Sequence, residues 1–309
     1  MKQKLIILTG PTAVGKTSVS IELAKRINGE IISADSMQIY KYMDIGTAKI
    51  LKEEMQNIPH HMIDIVYPDD SFSVSNYKQH AMQLIDEISG KGKLPIVVGG
   101  TGLYINSLTY KLNFASVPPN EEIRRDLEAL GDKYGNEYLH NMLRRVDNES
   151  TKRISIRDRK RIIRALEIYK LTGKTMSEYN ENFRIKNEDF DLSMICLNMD
   201  RKKLYDRINK RVDIMIEQGL IDEVKAILNM GYNKNLTSLQ GIGYKEIIMY
   251  LDNLCTKDEA IEKIKQGSRN YAKRQLTWFR RDNRIKWIDV DDFHDLNELS
   301  DYIEDYVSV

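Results

Sequence analysis

The chain has 309 residues, with 47 Lys+Arg against 46 Asp+Glu and a formal net charge of +1. That length allows a sizeable core without disulfide or metal staples and leaves room for a catalytic cleft. The balanced charge excludes a polybasic protein whose whole surface seeks nucleic acid, so any basic site must be local. Cys196 and Cys255 form no Cys-x-x-Cys pair; they fit a reducing compartment and small core positions. The apolar stretch Leu5–Leu8 after Met1–Lys4 is too short for a signal segment or a bilayer span, and the expectation is a cytoplasmic protein with no membrane partner.

Taken in chain order, the short apolar runs Leu5–Leu8, Ile31–Ile32, Met62–Val66, Pro95–Val98, Met194–Leu197 and Ile285–Ile288 read as buried strands. Helical patterns lie between several of them, at Thr17–Asn28 closed by Gly29 and at Asn76–Ser89 closed by Gly90. This strand-helix-strand rhythm predicts an α/β fold with a parallel sheet flanked by helices. It stops after Tyr110: from about Phe114 to Phe190 no strand pattern appears, Pro118-Pro119 opens the segment, and helical patterns run from Glu121 until Met194 restarts the strand signal. The predicted organisation is therefore a first part of the core over 1–113, a helical insertion over 114–189, and a continuation over 190–309. That last part holds charged helices, a turn at Gly241-Ile242-Gly243 and an acidic tail helix from Leu296.

Gly10-Pro11-Thr12-Ala13-Val14-Gly15-Lys16-Thr17 fits the pattern G-x-x-x-x-G-K-[ST] after a strand and before a helix, where a phosphate-binding loop belongs. Glycines let successive N–H groups converge on phosphate oxygens, and the next helix offers its positive end. Lys16 would neutralise the terminal phosphate and Thr17 would hold Mg²⁺. A chance match in an ordinary strand-helix turn is the alternative, and the flanking strand and helix weigh against it.

The second strand ends in Asp35, within Asp35-Ser36-Met37-Gln38-Ile39-Tyr40. Ligands of open parallel sheets bind at the carboxyl ends of strands, so an acid there can face the loop. Asp35 could be a general base, a Mg²⁺ ligand through water, or a helix N-cap. The next core strand, Ile96–Val98, ends in Gly99-Gly100-Thr101-Gly102 with no Walker-B-type acid, which argues against a motor ATPase or GTPase. Those glycines either let backbone approach a ligand or simply make a tight turn.

Within the insertion, Lys152, Arg153, Arg157, Arg159, Lys160, Arg161 and Arg164 crowd thirteen residues in which the only acid is Asp158. Arg153, Arg157, Arg161 and Arg164 follow helical spacing beside an apolar stripe of Ile162, Leu166 and Tyr169. Such a stripe is either the footprint of a nucleic-acid backbone or a solvated face. In the stretch from Arg269 to Arg281, packing is the favoured role for Tyr271 and Trp278, and function for some of the charges. Arg207 and Arg211, one turn apart, either reach a diphosphate together or pair with Asp206 or Asp213. His60 and His61 are adjacent, so on a strand they face opposite ways and share no metal.

Gly10–Thr17, Asp35–Tyr40 and Gly99-Gly100-Thr101-Gly102-Leu103-Tyr104, with Arg161–Glu167, Gln240-Gly241-Ile242-Gly243-Tyr244 and Tyr271–Arg280, form a set that spans nearly the whole chain. In this set the chain resembles the bacterial tRNA dimethylallyltransferase (tRNA isopentenyltransferase) family. The resemblance implies a P-loop NTPase-like core. It also implies transfer of a dimethylallyl group from dimethylallyl diphosphate to N6 of the adenosine 3′-adjacent to the anticodon, in tRNAs reading codons that begin with U. It implies that the phosphate loop, Arg211 and Mg²⁺ at Thr17 hold the diphosphate and that Asp35 takes the N6 proton. Asp35, Ser36, Met37, Gln38, Thr101 and Gln240–Tyr244 (Gln240, Gly241, Ile242, Gly243, Tyr244) would touch the tRNA. The insertion, with Arg124, Arg157, Arg161 and Arg164, would grip the anticodon stem, and the enzyme would act as a monomer. The zinc finger of many eukaryotic members has no counterpart in two unpaired cysteines. The rival reading is an ATP-using small-molecule kinase whose insertion is a lid; a third is a non-enzymatic RNA-binding protein.

Overall fold

The computed structural model describes residues 2–112, 117–179 and 185–308. Six strands form one parallel sheet: β1 (Gln3–Thr9), β2 (Gly29–Ser33), β3 (His60–His61), β4 (Leu94–Gly99), β5 (Phe190–Asn198) and β6 (Lys286–Asp289), in the order β3-β2-β4-β1-β5-β6. All pairs are parallel, with Ile6 opposite Ile96 and Leu8 opposite Ile195. Parallel strands need crossovers, and helices supply them: α1 (Lys16–Arg26), α2 (Val74–Gly90) and α3 (Gly102–Thr109). Because both sheet faces are covered, the alternation of β1 is apolar on each side. Leu5 and Ile7 pack with Tyr77 and Ile85 of α2, whereas Ile6 and Leu8 pack with Leu23 of α1.

Two predicted elements are corrected. Met62–Val66 is not a strand: only His60–His61 pair with β2, and left-handed backbone at Met62 (φ 64) and Asp64 (φ 55) breaks the extended run. The first helix stops at Arg26, and Asn28 (φ 51), not Gly29, takes the left-handed turn. Gly29 instead opens β2, where a Cβ would lie 2.7 Å from Ile96 Cδ1.

The chain divides into two compact units, Met1–Leu108 with Glu188–Val309, and Thr109–Asn187; the junction expected at 113–114 lies outside the described residues. The second unit contains α4 (Glu121–Val146), interrupted at Gly135 (φ 84, ψ 167), α5 (Asn148–Thr151), α6 (Arg159–Thr172) and α7 (Met176–Tyr179). Its core joins Leu127, Leu139 and Leu143 to Ile162 and Leu166. Asp158 caps α6 through the Arg161 N–H at 3.2 Å, so Arg153 and Arg157 precede the helix and the basic residues do not form one helical stripe.

The remaining helices belong to the first unit: α8 (Arg201–Glu217), α9 (Leu220–Asn229), α10 (Tyr244–Leu251), α11 (Lys257–Phe279) and α12 (Leu296–Ser308). Leu220, Val224 and Ile227 of α9 pack with Tyr244 and Ile247 of α10 and with Ile39 and Met43, building a smaller core under the carboxyl ends of the strands. No helix among the described residues is long and apolar enough to cross a membrane.

Candidate active site

The loop Gly10–Gly15 joins β1 to α1. Gly10 (φ 147) lies against β5, where a Cβ would meet the Leu197 carbonyl oxygen at 2.7 Å, and Gly15 (φ 107) turns the chain into the helix. No side chain caps α1 and its first turn carries no acid, which leaves its N–H donors and positive end for an outside anion. Pro11 and Val14 are buried, Val14 and Ala13 packing with the core, so apolar side chains anchor the loop.

Lys16 Nζ donates to the carbonyls of Gly10 at 2.9 Å and Pro11 at 2.8 Å. Burial, reinforced by the Arg211 charge and opposed by Asp35, pulls its pKa down to about 8. Arg211 on α8 reaches Thr12 Oγ1 at 3.5 Å and the Ala48 carbonyl at 3.4 Å. Burial disfavours its charge while Asp35 favours it. Asp213, the alternative partner raised by the sequence, pairs with Lys265 at 2.7 Å, and both Arg207 and Arg211 line the loop's cavity.

That cavity has a volume of about 840 Å³ and is walled by Thr12, Ala13, Gly15, Lys16, Thr17, Gln38 and the two arginines. A second, of about 380 Å³, is walled by Ser36, Met37 and Gln240–Tyr244. Thr12, Ala13, Asp35, Thr47, Arg211 and Tyr271 line both. Asp35 thus stands where the two spaces meet. Its Oδ1 accepts from the Met37 N–H at 2.9 Å; residues 36–39 form turns, so the carboxylate closes an Asx turn and caps no helix. Thr101 Oγ1 accepts from the Ser36 N–H at 3.0 Å and the Ser36 hydroxyl lies 3.3 Å from it.

The glycines of the Gly99–Gly102 turn permit close packing, and Gly100 also lines the first cavity. A Cβ at Gly100 would meet Gln275 Nε2 at 1.9 Å, and one at Gly102 would meet the Trp278 ring at 2.3 Å. Tyr271 and Trp278 part company: Trp278 packs on Gly102, whereas Tyr271 lines both cavities with its hydroxyl directed to Thr101 and Gln275.

Sequence reasoning passed over Thr47, Ala48, Arg274 and Gln275 as site residues, although they line these spaces. For α11 a signal existed, since Tyr271, Arg274 and Gln275 stand at i, i+3 and i+4 and share one face. Tyr244 is fully buried and its hydroxyl donates to Glu223 at 2.7 Å, while Gln240 donates to the Lys234 carbonyl at 3.1 Å on the surface.

In the second unit, Arg124 and Arg164 both turn onto the buried Glu167, at 2.9 and 2.6 Å. Burial would raise the Glu167 pKa, but the two arginines and the Asn120 N–H outweigh it and hold it low. Arg161 is mostly exposed, 3.3 Å from Asp158, and Arg157 is exposed. His61 is held by Glu30 at 2.8 Å and His60 by the Ile58 carbonyl at 2.8 Å.

A phosphate-type loop opening on two cavities that share lining residues, on a parallel sheet with crossover helices, defines a P-loop-like α/β protein. Residues 38–282 match the model of the family described as IPP transferase. The chain belongs to this family, the tRNA isopentenyl and dimethylallyl transferases. It is similar to the full-length tRNA isopentenylpyrophosphate transferase of Bacillus halodurans, with 46% identity and a TM-score of 0.72 over 99% of this chain and 97% of that one. It is likewise similar to the tRNA delta(2)-isopentenylpyrophosphate transferase of Staphylococcus epidermidis, with 44% identity and a TM-score of 0.73 over 99% of both chains. A eukaryotic dimethylallyltransferase seen acting on tRNA shares 32% identity, with a TM-score of 0.79, covering 93% of this chain and 74% of that one.

Proposed function

We propose that the protein transfers a dimethylallyl group from dimethylallyl diphosphate to N6 of the adenosine 3′-adjacent to the anticodon, in tRNAs reading codons that begin with U. The observation that carries this reading is the position of Asp35, shared by a cationic cavity and a second cavity rimmed by the Gln240–Tyr244 loop. A diphosphate in the first cavity meets the loop N–H groups, Lys16, Arg207 and Arg211. An adenine in the second presents its exocyclic amine toward Asp35.

In the transfer, the N6 lone pair forms a bond to C1 of the dimethylallyl group while the C1–O bond breaks and its electrons leave with the diphosphate. Charge developing on that leaving group is stabilised by donors already in place, Lys16, Arg211 and the first amides of α1. Asp35 accepts the proton that N6 must lose. Thr17 and Asp35 offer oxygen donors to the same cavity, which suits Mg²⁺, a cation that keeps several waters and takes its other ligands from phosphate. Bound there, Mg²⁺ would neutralise charge on the diphosphate.

The exposed cations of the insertion, Arg157 and Arg161, suit backbone contacts to the anticodon stem, which position without reading sequence. The test is incubation of the purified protein with dimethylallyl diphosphate and an anticodon stem-loop, followed by mass spectrometry of the nucleosides. Dimethylallyl-adenosine at the position next to the anticodon supports the reading. No prenylated adenosine, with ATP consumed against a small acceptor instead, would sink it in favour of a kinase.

A further inference from the structure

Glu223 lies outside both cavities, in the first turn of α9, yet its carboxylate holds backbone at the edge of each: Gly46 lines the second cavity, and the next residue, Thr47, lines both. Oε2 accepts from the N–H groups of Asp44 at 2.9 Å and Ile45 at 2.7 Å, and Oε1 accepts from the Gly46 N–H at 3.1 Å. Three successive amides converge on one anion, the arrangement by which a backbone nest binds a phosphate, with the anion here supplied by the chain itself. The remaining donor is the Tyr244 hydroxyl, at 2.7 Å from Oε1. Tyr244 ends the Gln240–Tyr244 loop of the second cavity. The loop containing Gly46 lies flat on this ring, since a Cβ at Gly46 would fall 2.5 Å from it.

The two residues that follow this nest are Thr47 and Ala48, both in the wall of the first cavity. Ala48 has left-handed backbone (φ 47), and its carbonyl accepts from Arg211 Nη2 and Gln38 Nε2, each at 3.4 Å. On the other side, the buried Lys49 ammonium binds Asp44 at 2.6 Å, Asp64 at 2.5 Å and the Tyr40 carbonyl at 2.8 Å. The wall is thus clamped from two sides, and only the Glu223 clamp also reaches the loop of the second cavity.

We propose that Glu223 is a positioning residue that sets the donor wall, and through the Ala48 carbonyl the Arg211 guanidinium, in register with the acceptor loop. The donor and acceptor ends named here rest on the proposed reaction. A small displacement of the 44–46 backbone would move the acceptor that aims Arg211, and the same displacement would unseat Tyr244. Glu223 therefore acts on both ends without touching either substrate.

The test uses the full chain. Glu223→Gln keeps shape but removes the charge and turns one acceptor into a donor facing other donors. Loss of charged hydrogen bonds at this level should raise the dissociation constant for inorganic diphosphate, measured by calorimetry, by about tenfold. Combined with Arg211→Lys, the loss should be less than the product of the two single effects, because both act on one contact. Tyr244→Phe removes the bonds of one hydroxyl, to Glu223 and to the Gly46 backbone, and leaves the three amides on the carboxylate. It should leave diphosphate binding within about twofold and raise the KM for the stem-loop several-fold. Diphosphate affinity of Glu223→Gln within about twofold of the parent, with the variant folded by circular dichroism, would overturn the proposal. If that variant does not fold, an unchanged stem-loop KM in Tyr244→Phe overturns it instead. A parent protein that binds diphosphate but transfers no prenyl group contradicts the proposed reaction and leaves this positioning role to be judged on diphosphate binding alone.

Discussion

Gln275 on α11 accepts a hydrogen bond from the Thr12 N–H at 2.9 Å, so a side chain 263 residues away holds the tip of the phosphate loop. The same amide donates to the Gly100 carbonyl at 3.1 Å, tying the turn after β4 to the loop after β1. Gln275→Leu fills the space but leaves two buried backbone groups unpaired. The expected result is a loss of about 2–6 kcal/mol in denaturant unfolding, from roughly 1–3 kcal/mol for each of the two orphaned groups, toward the lower end because the Thr12 N–H is only partly buried. Donor KM should rise along with that loss. Unchanged stability would mean that water or a shifted backbone satisfies both groups.

Lys16 gives the reaction a pH limb. An ammonium with a pKa of about 8 is charged below that pH and neutral above it, so kcat/KM for the donor should fall as pH rises through about 8. A bound diphosphate beside it favours the charged form, and the limb in kcat should therefore lie at higher pH than the limb in kcat/KM. Lys16→Arg keeps its charge across the range. Its rate should be lower but flat where the parent declines, and a parallel decline would assign the limb to another group.

The arginines of the insertion should separate into two classes. Arg124→Ala or Arg164→Ala strips one of two cationic partners from the enclosed Glu167 and should cost about 1.5–3 kcal/mol, the worth of hydrogen bonds to a charged group, below the penalty for a buried charge left with no partner because the other arginine remains. Arg157→Ala with Arg161→Ala should leave the melting temperature unchanged. For each stem phosphate that these two side chains cease to neutralise, the slope of log affinity for the stem-loop against log salt should become shallower by somewhat less than one unit. An unchanged slope would make these two a solvated face.

Much of this was legible in the sequence, because the sheet is parallel and buried on both faces, so its inner strands appear as unbroken apolar runs. The loop Gly10–Thr17 was legible because its chemistry needs a local pattern. Met62–Val66 misled because apolar content alone does not reveal left-handed residues at 62 and 64. The arginine stripe misled because a helix start depends on the Asp158 cap, and because Glu167, three residues beyond Arg164, is an enclosed acid that claims Arg164 together with Arg124 of α4. Glu223 was out of reach for a different reason: it works through hydrogen bonds to backbone far away in the chain, which leave no spacing to read, and for Gln275 the face shared with Tyr271 and Arg274 was readable but its bond to the Thr12 N–H was not.

Asp35, standing where the two cavities meet, is proposed to take the proton from the acceptor amine. The most direct measurement is single-turnover prenyl transfer to a stem-loop by Asp35→Asn, which keeps an oxygen for the Met37 N–H and so preserves the turn. A positioned proton acceptor is worth about two to four orders of magnitude in rate. A loss in that range is expected, with stem-loop affinity changed much less. A variant that transfers within about threefold of the parent would contradict it, and would leave Asp35 only its role of closing the turn at Met37.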